Sequence, residues 1–415
     1  MIERITVLGG SSVYTPELIL AIIKHNLNVG EVALLGKPGR KLDIVSNFCK
    51  RLVSRSGYPL EIGVYTDFKE AIQGARYILN HIRVGGMKAR MRDEILPPKY
   101  GMLGDENLGP GGFSNAFRTL PVVLTYARQI EKEQPDALFI NVTNPVGLVM
   151  EGLIKTTNLN AIGVCDLPVT YTHKVAALLQ RDPKDLFVDY IGLNQLGWIQ
   201  DVKIDGRSRM SQLLEILENC EDDGFDYKLI ELFRMIPTRN TGLFFHRGEV
   251  LQRQKNQSRV RAEVLHETEL QILQLYDNDD LCELPALTRQ RNANWYENSI
   301  LPLLKALEQE ESTNAILCVR NNGCIRDLAD DSSVEITSMV SKAGIKPRKA
   351  GSLPRFLKGM LLANKESERL TVEAILHQSY EFALQALTIN PFVPSLEAAK
   401  KYLDRIIKED KIELH

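Results

Sequence analysis

A short segment near the start of the sequence contains residue types that bind anions. It reads Gly9-Gly10-Ser11-Ser12, and Tyr14 follows two positions later. Glycine lets the backbone approach a ligand closely, and the free N–H groups at the start of a helix point towards negative charge. In parallel α/β sheets such a turn usually holds the pyrophosphate of a dinucleotide. These residues therefore predict a nicotinamide dinucleotide site, and an ordinary strand-to-helix turn is the alternative.

Positive charge follows the second apolar segment of the chain. In dinucleotide-binding folds the second strand usually ends in an acidic residue that binds the ribose hydroxyls of the adenosine. Here Gly36 is followed by Lys37, Arg40 and Lys41, with no acidic residue among them. Cations in this position could pair with a 2′-phosphate, so Lys37 and Arg40 favour NADP over NAD. The alternative is a solvent-exposed helix start.

The elements that must position these residues alternate between strands and helices. The apolar, strand-like segments cover residues 4–8, 31–35, 60–65, 76–82, 137–142 and 161–164. Thr15 is suited to cap the first helix and Pro16 to occupy its first turn. Strands that alternate with helices in this way are typical of a doubly wound parallel sheet.

The pattern changes in the second half of the chain. We expect strands at 187–194, 199–204, 315–319 and 334–340, and helices through most of 210–307, at 367–387 and at 396–408. The predicted fold class is α/β. A Rossmann-like dinucleotide-binding domain would span residues 1–168, and a mixed α+β substrate and oligomerisation domain would span residues 169–415.

Composition excludes several classes of protein. The chain has 415 residues, of which 44% are apolar and 25% charged, and its net charge is −2, so no nucleic-acid partner is expected. No apolar run approaches the roughly 18 residues of a membrane span, and the first residues read as a strand rather than a signal peptide. We therefore predict a cytoplasmic protein without a membrane partner. The six cysteines are scattered and form neither a disulfide framework nor a zinc site.

Seven motifs along the chain occur together in one known family. They are GGSSVYTPEL from Gly9, GGMKAR from Gly85, GDENLGPGGFS from Gly104, NVTNPVG from Asn141, VCDLP from Val164, GLNQL from Gly192 and VRNNG from Val319. In order and spacing they resemble the motifs of glycoside hydrolase family 4, the nicotinamide- and metal-dependent 6-phospho-glycosidases and their relatives. The resemblance covers nearly the whole chain.

This resemblance implies a mechanism that differs from hydrolysis by two carboxylates. The nicotinamide removes hydride from C3 of the sugar, a base removes the C2 proton, and the leaving group at C1 is eliminated. Water then adds and the hydride returns to C3. A divalent metal, usually Mn²⁺, polarises the C3 oxygen. The family also implies a homodimer or homotetramer.

The resemblance further implies roles for particular residues. Cys165 and Gln195 occupy the positions of the metal ligands, where the family has cysteine and histidine. Asp166 matches the general acid of the α-type branch, whereas the β-type branch has asparagine there. Asp166 could instead help to ligate the metal, or Cys165 and Asp166 could simply cap the next helix.

Other polar residues are assigned to ligands in the same way. Asn144, Arg90 and Arg291 are substrate candidates, with the two arginines suited to an anionic sugar group. Asn141 is assigned to the cofactor, and Glu106 to ordering the glycine-rich loop above it. Arg320, Asn321 and Asn322 either line the same cleft or form a turn.

The family's catalytic tyrosine falls on Asn240 in this sequence. An amide does not accept a proton at neutral pH, so His246 or Tyr14 would have to replace it as the base. We predict a glycosidase of the 6-phospho-glucosidase type that uses NAD or NADP and Mn²⁺ on a carbohydrate substrate. The alternatives are an NAD(P)-dependent oxidoreductase acting on a sugar or sugar acid, and a catalytically silent sugar- or nucleotide-binding protein.

Overall fold

One mixed β-sheet runs through the part of the chain that the computed structural model describes, namely residues 1–219, 224–291 without the side chain of Arg291, and 296–415. The strands are β1 Ile2–Leu8, β2 Val29–Leu35, β3 Glu61–Tyr65, β4 Ala75–Asn80, β5 Leu138–Asn141, β6 Ala161–Gly163, β7 Phe187–Leu193, β8 Leu196–Ile204, β9 Arg207–Ser208, β10 Ile236–Pro237, β11 Thr313–Arg320, β12 Ser333–Ser341 and β13 Gly344–Pro347.

Helices cover both faces of this sheet. They are α1 Thr15–Lys24, α2 Arg40–Ser56, α3 Phe68–Ile72, α4 Gly86–Ile95, α5 Gly109–Glu133, α6 Val146–Thr156, α7 Asp166–Leu178, α8 Met210–Glu218, α9 Tyr227–Phe233, α10 Gly242–Phe245, α11 Arg247–Asn256, α12 Arg261–Tyr276, α13 Leu301–Glu308, α14 Arg355–His377, α15 Tyr380–Ile389 and α16 Leu396–Asp410.

The first six strands form the predicted doubly wound unit. They are all parallel and lie in the order β6-β5-β4-β1-β2-β3. Apolar side chains of α1 and α2 pack on one face, and those of α5 and α6 pack on the other. Because both faces are covered, the strands are buried and apolar, as parallel strands usually are. The Rossmann-like prediction is confirmed.

The remaining strands extend the same sheet in antiparallel fashion. β11 pairs with β6 through Cys318 and Gly163, and β12, β7, β8 and β10 follow in that order. Position 168, which we predict to end the first domain, lies within α7. Backbone hydrogen bonding is therefore continuous between the parallel and the antiparallel parts of the sheet.

Three local predictions differ from the structure. The N-cap of α1 is Tyr14 rather than Thr15, and the Thr15 hydroxyl donates to the Gly10 carbonyl at 3.0 Å. The predicted long helix at 367–387 is two helices, because Gln378 adopts a left-handed conformation with φ of 51°. The strand predicted at 199–204 begins earlier, at Leu196, because β7 and β8 form a hairpin with the two-residue turn Asn194-Gln195. Gln195 in this turn has φ of 69°.

Two further observations concern the chain as a whole. Within the described ranges, no helix has both the length and the apolar character needed to cross a membrane. Cysteines 49, 165, 282, 318 and 324 are free thiols, and Cys220 lies outside the described residues.

Candidate active site

A long cleft of about 1370 Å³ opens at the carboxyl ends of the parallel strands. The turn between β1 and α1 and residues of α12 both line it. Ligands usually bind at this edge of a parallel sheet, because the loops that follow the strands meet there. Most of the predicted site residues line this cleft; they are Gly9, Ser11, Ser12, Tyr14, Lys37, Arg40, Arg90, Asn144, Cys165, Asp166 and Gln195.

The turn after β1 is built for close approach of the backbone. Gly9 has φ of +90°, and a Cβ placed on it would lie 2.5 Å from the carbonyl oxygen of His81. Any larger residue would therefore collide with the loop after β4. Gly10 lies behind the cleft wall, where a Cβ would lie 2.7 Å from the Cβ of Leu34. Gly10 consequently shapes the turn without lining the cleft.

Asn141 also lies behind the wall. It is fully buried at the end of β5, where its side chain accepts from Asn80 Nδ2 at 2.8 Å and donates to the Thr143 carbonyl at 3.1 Å. These bonds join β4 to β5 and fix the loop that carries Asn144 into the cleft. The predicted role of Asn141 in cofactor binding stays a prediction, and its contacts in the structure are to protein.

Glu106 lies at the centre of an ion-pair network at one end of the cleft. Its carboxylate pairs with Arg83 and with Arg90 Nη1, the latter at 2.9 Å, and accepts from Asn144 Nδ2 at 3.2 Å. Burial alone would raise the pKa of Glu106, but the two guanidinium groups lower it below its ordinary value. Glu106 therefore stays ionised and holds Arg90 and Asn144 in fixed positions.

Cys165, Gln195 and Asn240 form a chain of contacts beside Asp166. Gln195 Nε2 donates to the Cys165 sulfur at 3.1 Å, and Asn240 Nδ2 donates to Gln195 Oε1 at 2.5 Å. The Cys165 thiol donates to Asp166 Oδ1 at 3.7 Å. Burial raises the pKa of the thiol well above its ordinary value, and the carboxylates of Asp166 and Glu335 add to the effect. The motifs that carry these residues thus meet in space.

Glu335 is a buried neighbour of this group that the sequence did not indicate. It lies on β12 and accepts from Asn194 Nδ2 at 2.8 Å and from the Tyr190 hydroxyl at 2.9 Å. Burial raises its pKa to about 7. A single glutamate within an apolar strand is its only sequence signal, and that signal does not indicate which strands will lie beside it.

Two arginines missed by the sequence analysis lie near Asp166. Arg239 and Arg261 both line the cleft. Burial lowers the pKa of Arg261, and repulsion from Arg239 and Arg90 lowers it further, whereas Glu94 and Asp166 raise it. Glu94 also accepts the N–H of Ala262 at 2.8 Å, which holds the start of α12 near Arg90. The guanidinium groups of Arg90, Arg239 and Arg261 thus lie close enough to repel one another, and such a group suits an anionic ligand.

Several other predicted residues lie away from the cleft or outside the description. His246 is not among the lining residues, and its Nε2 lies 2.6 Å from Asp226 Oδ2. Arg320, Asn321 and Asn322 are not among the cleft-lining residues: Arg320 ends β11 and donates to the Ile154 carbonyl, and Asn321 donates to three backbone carbonyls before the turn at Asn322. The side chain of Arg291 lies outside the described residues.

Comparison with known proteins identifies the family. The sequence matches the model of family 4 glycosyl hydrolases over residues 4–181 and that of the family's C-terminal domain over residues 190–393. It is 33% identical to a probable 6-phospho-beta-glucosidase of Bacillus subtilis (strain 168), with 98% of this chain and 96% of that protein covered.

Two solved structures have the same fold throughout. The 6-phospho-beta glucosidase from Thermotoga maritima with manganese, NAD⁺ and glucose-6-phosphate superposes with a TM-score of 0.91 at 30% identity, over 99% of this chain and 100% of that one. A 6-phospho-alpha-glucosidase from gut microorganisms, in complex with NAD and glucose-6-phosphate, gives 0.90 at 26% identity, over 100% and 99%. These matches confirm the resemblance in the sequence, and the chain belongs to the family 4 glycosyl hydrolases.

Proposed function

We propose that this chain hydrolyses 6-phospho-glucosides with NAD as its cofactor. The observation that carries the proposal is the group of guanidiniums from Arg90, Arg239 and Arg261 near Asp166, in the same cleft of about 1370 Å³ that the β1–α1 turn lines. A sugar phosphate would relieve the repulsion between these cations. The relatives support this reading, because solved family structures hold NAD and glucose-6-phosphate.

The residues around the β1–α1 turn fit a dinucleotide. Gly9 lets this turn pack against the backbone of His81, and the turn lines the cleft with Ser11, Ser12 and Tyr14, where a pyrophosphate could bind at the start of α1. When bound, NAD supplies a reversible hydride acceptor. In this proposal Arg90 and Asn144 contact the sugar, Glu106 holds both side chains in place, and Asp166 gives a proton to the departing oxygen.

The residues around Cys165 do not fit a divalent metal in the same way. Within the described ranges, no group of three or more His, Cys, Asp or Glu side chains is placed to hold a metal ion. Gln195 turns its amide nitrogen, not its oxygen, towards the Cys165 sulfur. The metal site at Cys165 and Gln195 stays a prediction. The predicted cytoplasmic location and homo-oligomer stay predictions too.

Asn240 favours the oxidoreductase as a second candidate function. It lines the cleft and donates to Gln195, but its amide cannot take a proton from the sugar. Of the two residues predicted to replace the family tyrosine, Tyr14 lines the cleft and His246 does not. If Tyr14 does not act as the base, oxidation of the sugar would not be followed by removal of the C2 proton, and the chain would act as an oxidoreductase.

The first experiment measures aglycone release and nicotinamide reduction in one assay. The substrates are p-nitrophenyl α- and β-glucosides, each with and without a 6-phosphate, in the presence or absence of NAD. We expect release from one 6-phospho anomer that requires NAD and leaves no net NADH. Net NADH without release would replace the proposal with the oxidoreductase, and equal rates on free and phosphorylated glucosides would overturn the phosphate assignment.

The Arg261→Ala variant tests the anion site directly. A charged hydrogen bond to phosphate contributes about 1.5–3 kcal/mol, so we expect KM for the 6-phospho-glucoside to rise about tenfold or more. Arg259→Ala is the matched control, because Arg259 pairs with Glu267 and is not among the cleft-lining residues. An unchanged KM in the Arg261 variant would remove this arginine from the substrate site.

A further inference from the structure

A carboxylate from α12 reaches the cleft near the end of β2. Three cleft-lining residues of α12, Arg261, Leu265 and Glu269, are spaced four apart and therefore share one face of the helix. Arg261 and Glu269 are separated by about 12 Å along the helix axis. Since Arg261 lies near Asp166, the helix extends from the substrate end of the cleft towards the end that Gly36 and Lys41 line.

Glu269 forms an ion pair with Lys41 across this end of the cleft. The Lys41 ammonium contacts Glu269 Oε1, and the glutamate side chain is 12% exposed. Arg40 is also engaged, because its Nη2 lies 2.8 Å from Asp277 Oδ2. Two of the cations that favoured a 2′-phosphate in the sequence are thus paired with carboxylates from a distant part of the chain.

We propose that Glu269 replaces the acidic residue missing after β2, accepts hydrogen bonds from the adenosine ribose hydroxyls of NAD, and discriminates against NADP. This inference rests on the proposed function, because it requires a nicotinamide dinucleotide in the cleft. A carboxylate accepts from both hydroxyls of a ribose, which is the chemistry that the second strand supplies in other dinucleotide-binding folds. Here the acceptor comes from α12 rather than from the strand itself.

A 2′-phosphate meets two obstacles at this position. Its negative charge repels Glu269, and it can use Lys41 only by separating that ammonium from its carboxylate partner. The Glu269 side chain is only 12% exposed, so water would compensate its carboxylate little for a lost ion pair, whereas the Lys41 side chain is 45% exposed and would be partly solvated. The cation at Lys41 therefore orients Glu269 instead of providing a free phosphate site.

Equilibrium binding of NAD⁺ and NADP⁺, measured by isothermal titration calorimetry on the full chain without sugar, tests the inference. We expect the wild type to bind NAD⁺ more tightly. Glu269→Gln should weaken NAD⁺ by about tenfold and tighten NADP⁺, because the charged acceptor is lost and the repulsion is removed. Glu269→Asp should weaken NAD⁺ while still disfavouring NADP⁺.

Asp279→Asn is the matched control. It removes an exposed carboxylate that pairs with Arg51 of α2, and neither residue is among the cleft-lining residues, so the ratio of the two dissociation constants should stay within about twofold of the wild type. A Glu269→Gln variant with an unchanged ratio overturns the inference while leaving the proposed function in place. A wild type that prefers NADP⁺ overturns the inference and the choice of NAD as cofactor, but not the proposed hydrolysis of 6-phospho-glucosides. A wild type that binds neither dinucleotide overturns both.

Discussion

Glu106 connects the side chains that would meet the sugar. Its carboxylate contacts Arg83, Arg90 and Asn144, and it is 4% exposed. A buried carboxylate between two guanidiniums fixes their positions more firmly than solvent-exposed pairs would, because water does not compete for the same hydrogen bonds. Glu106 therefore holds Arg90 and Asn144 in fixed positions without having to touch the reacting atoms.

The Glu106→Gln substitution tests this positioning role. It keeps the shape of the side chain but removes its charge, so Arg90 and Asn144 lose their common anchor. We expect kcat/KM for the 6-phospho-glucoside to fall about 10- to 100-fold, mostly through KM. Steady-state kinetics and circular dichroism of the same preparations provide the measurement. A loss confined to kcat would instead place Glu106 in the chemical step.

Gln195 offers a test of the metal prediction at the same scale. Its side chain lies 3.1 Å from the Cys165 sulfur, next to Asp166. A Gln195→His substitution would add an imidazole to the thiol and the carboxyl, which are ligand types that bind first-row metals. We expect the variant to bind Mn²⁺ more tightly than the wild type in calorimetric titrations. Equal affinities would show that this hairpin turn is not close enough to a cation to ligate it.

At the scale of elements, α1 anchors the segment that follows residue 295. Glu17 of α1 accepts the N–H of Tyr296 at 2.9 Å and that of Glu297 at 3.4 Å. The Tyr296 hydroxyl in turn lies 2.7 Å from His81 Nδ1, and His81 lines the cleft. Helix α1, which begins at the turn after β1, thus also holds Tyr296 in place and, through it, His81 at the cleft.

This anchor makes stability depend on pH. Burial raises the pKa of Glu17 from 4.5 to about 8. Between these values the folded chain keeps a proton that the unfolded chain has released, so the free energy of unfolding falls as pH rises towards 8. Glu17→Gln removes this dependence, and we expect its stability relative to the wild type to rise by a few kcal/mol between pH 5 and pH 8.

Urea unfolding of the wild type and the variant at a series of pH values measures the effect. Glu297→Gln is the control, because Lys24 and His25 help to lower the pKa of Glu297 below 4.5, outside this pH range. A constant difference in stability between the Glu17 variant and the wild type across the range would contradict the expectation.

The elements that the sequence predicted correctly are those specified by neighbouring residues. The β1 strand, its glycine turn and the helix after it follow from local apolar pattern and turn chemistry. Adjacent motif residues such as Cys165 and Asp166 reach the cleft because the end of β6 carries them there. The alternation of strands and helices also predicted the doubly wound parallel sheet, but not the order of its strands.

The parts that the sequence missed depend on distant contacts. Lys41 and Glu269 are 228 positions apart, so the charges after β2 read as unpaired cations until the fold is known. Arg261 comes from the start of a helix whose spacing gives no sign of the cleft. A charge pattern read along the chain records only one partner of each ion pair, so the prediction of NADP over NAD took no account of Glu269, and the preference between the two dinucleotides stays a prediction.

At the scale of the whole molecule, a buried ion-pair network joins the two segments matched by the family models. Lys365 of α14 contacts Glu151 of α6 at 2.9 Å, Glu368 at 2.5 Å and the Ser333 hydroxyl of β12 at 2.8 Å. The lysine side chain is 1% exposed. Because the sheet also continues from β6 to β11, the two segments share both their backbone hydrogen bonds and a buried charge cluster.

The Lys365→Met substitution tests whether the two segments unfold together. It leaves Glu151 and Glu368 buried without their common cation, and breaking a buried pair in this way costs about 3–5 kcal/mol. We expect calorimetry to show one transition in both proteins, at a clearly lower temperature in the variant. Lys358→Met on the same helix is the control, because Lys358 is 46% exposed and its pair with Asp327 should contribute about 1 kcal/mol or less. Two separate transitions, or a variant as stable as the control, would mean that each segment has its own stability and that the shared sheet does not couple them.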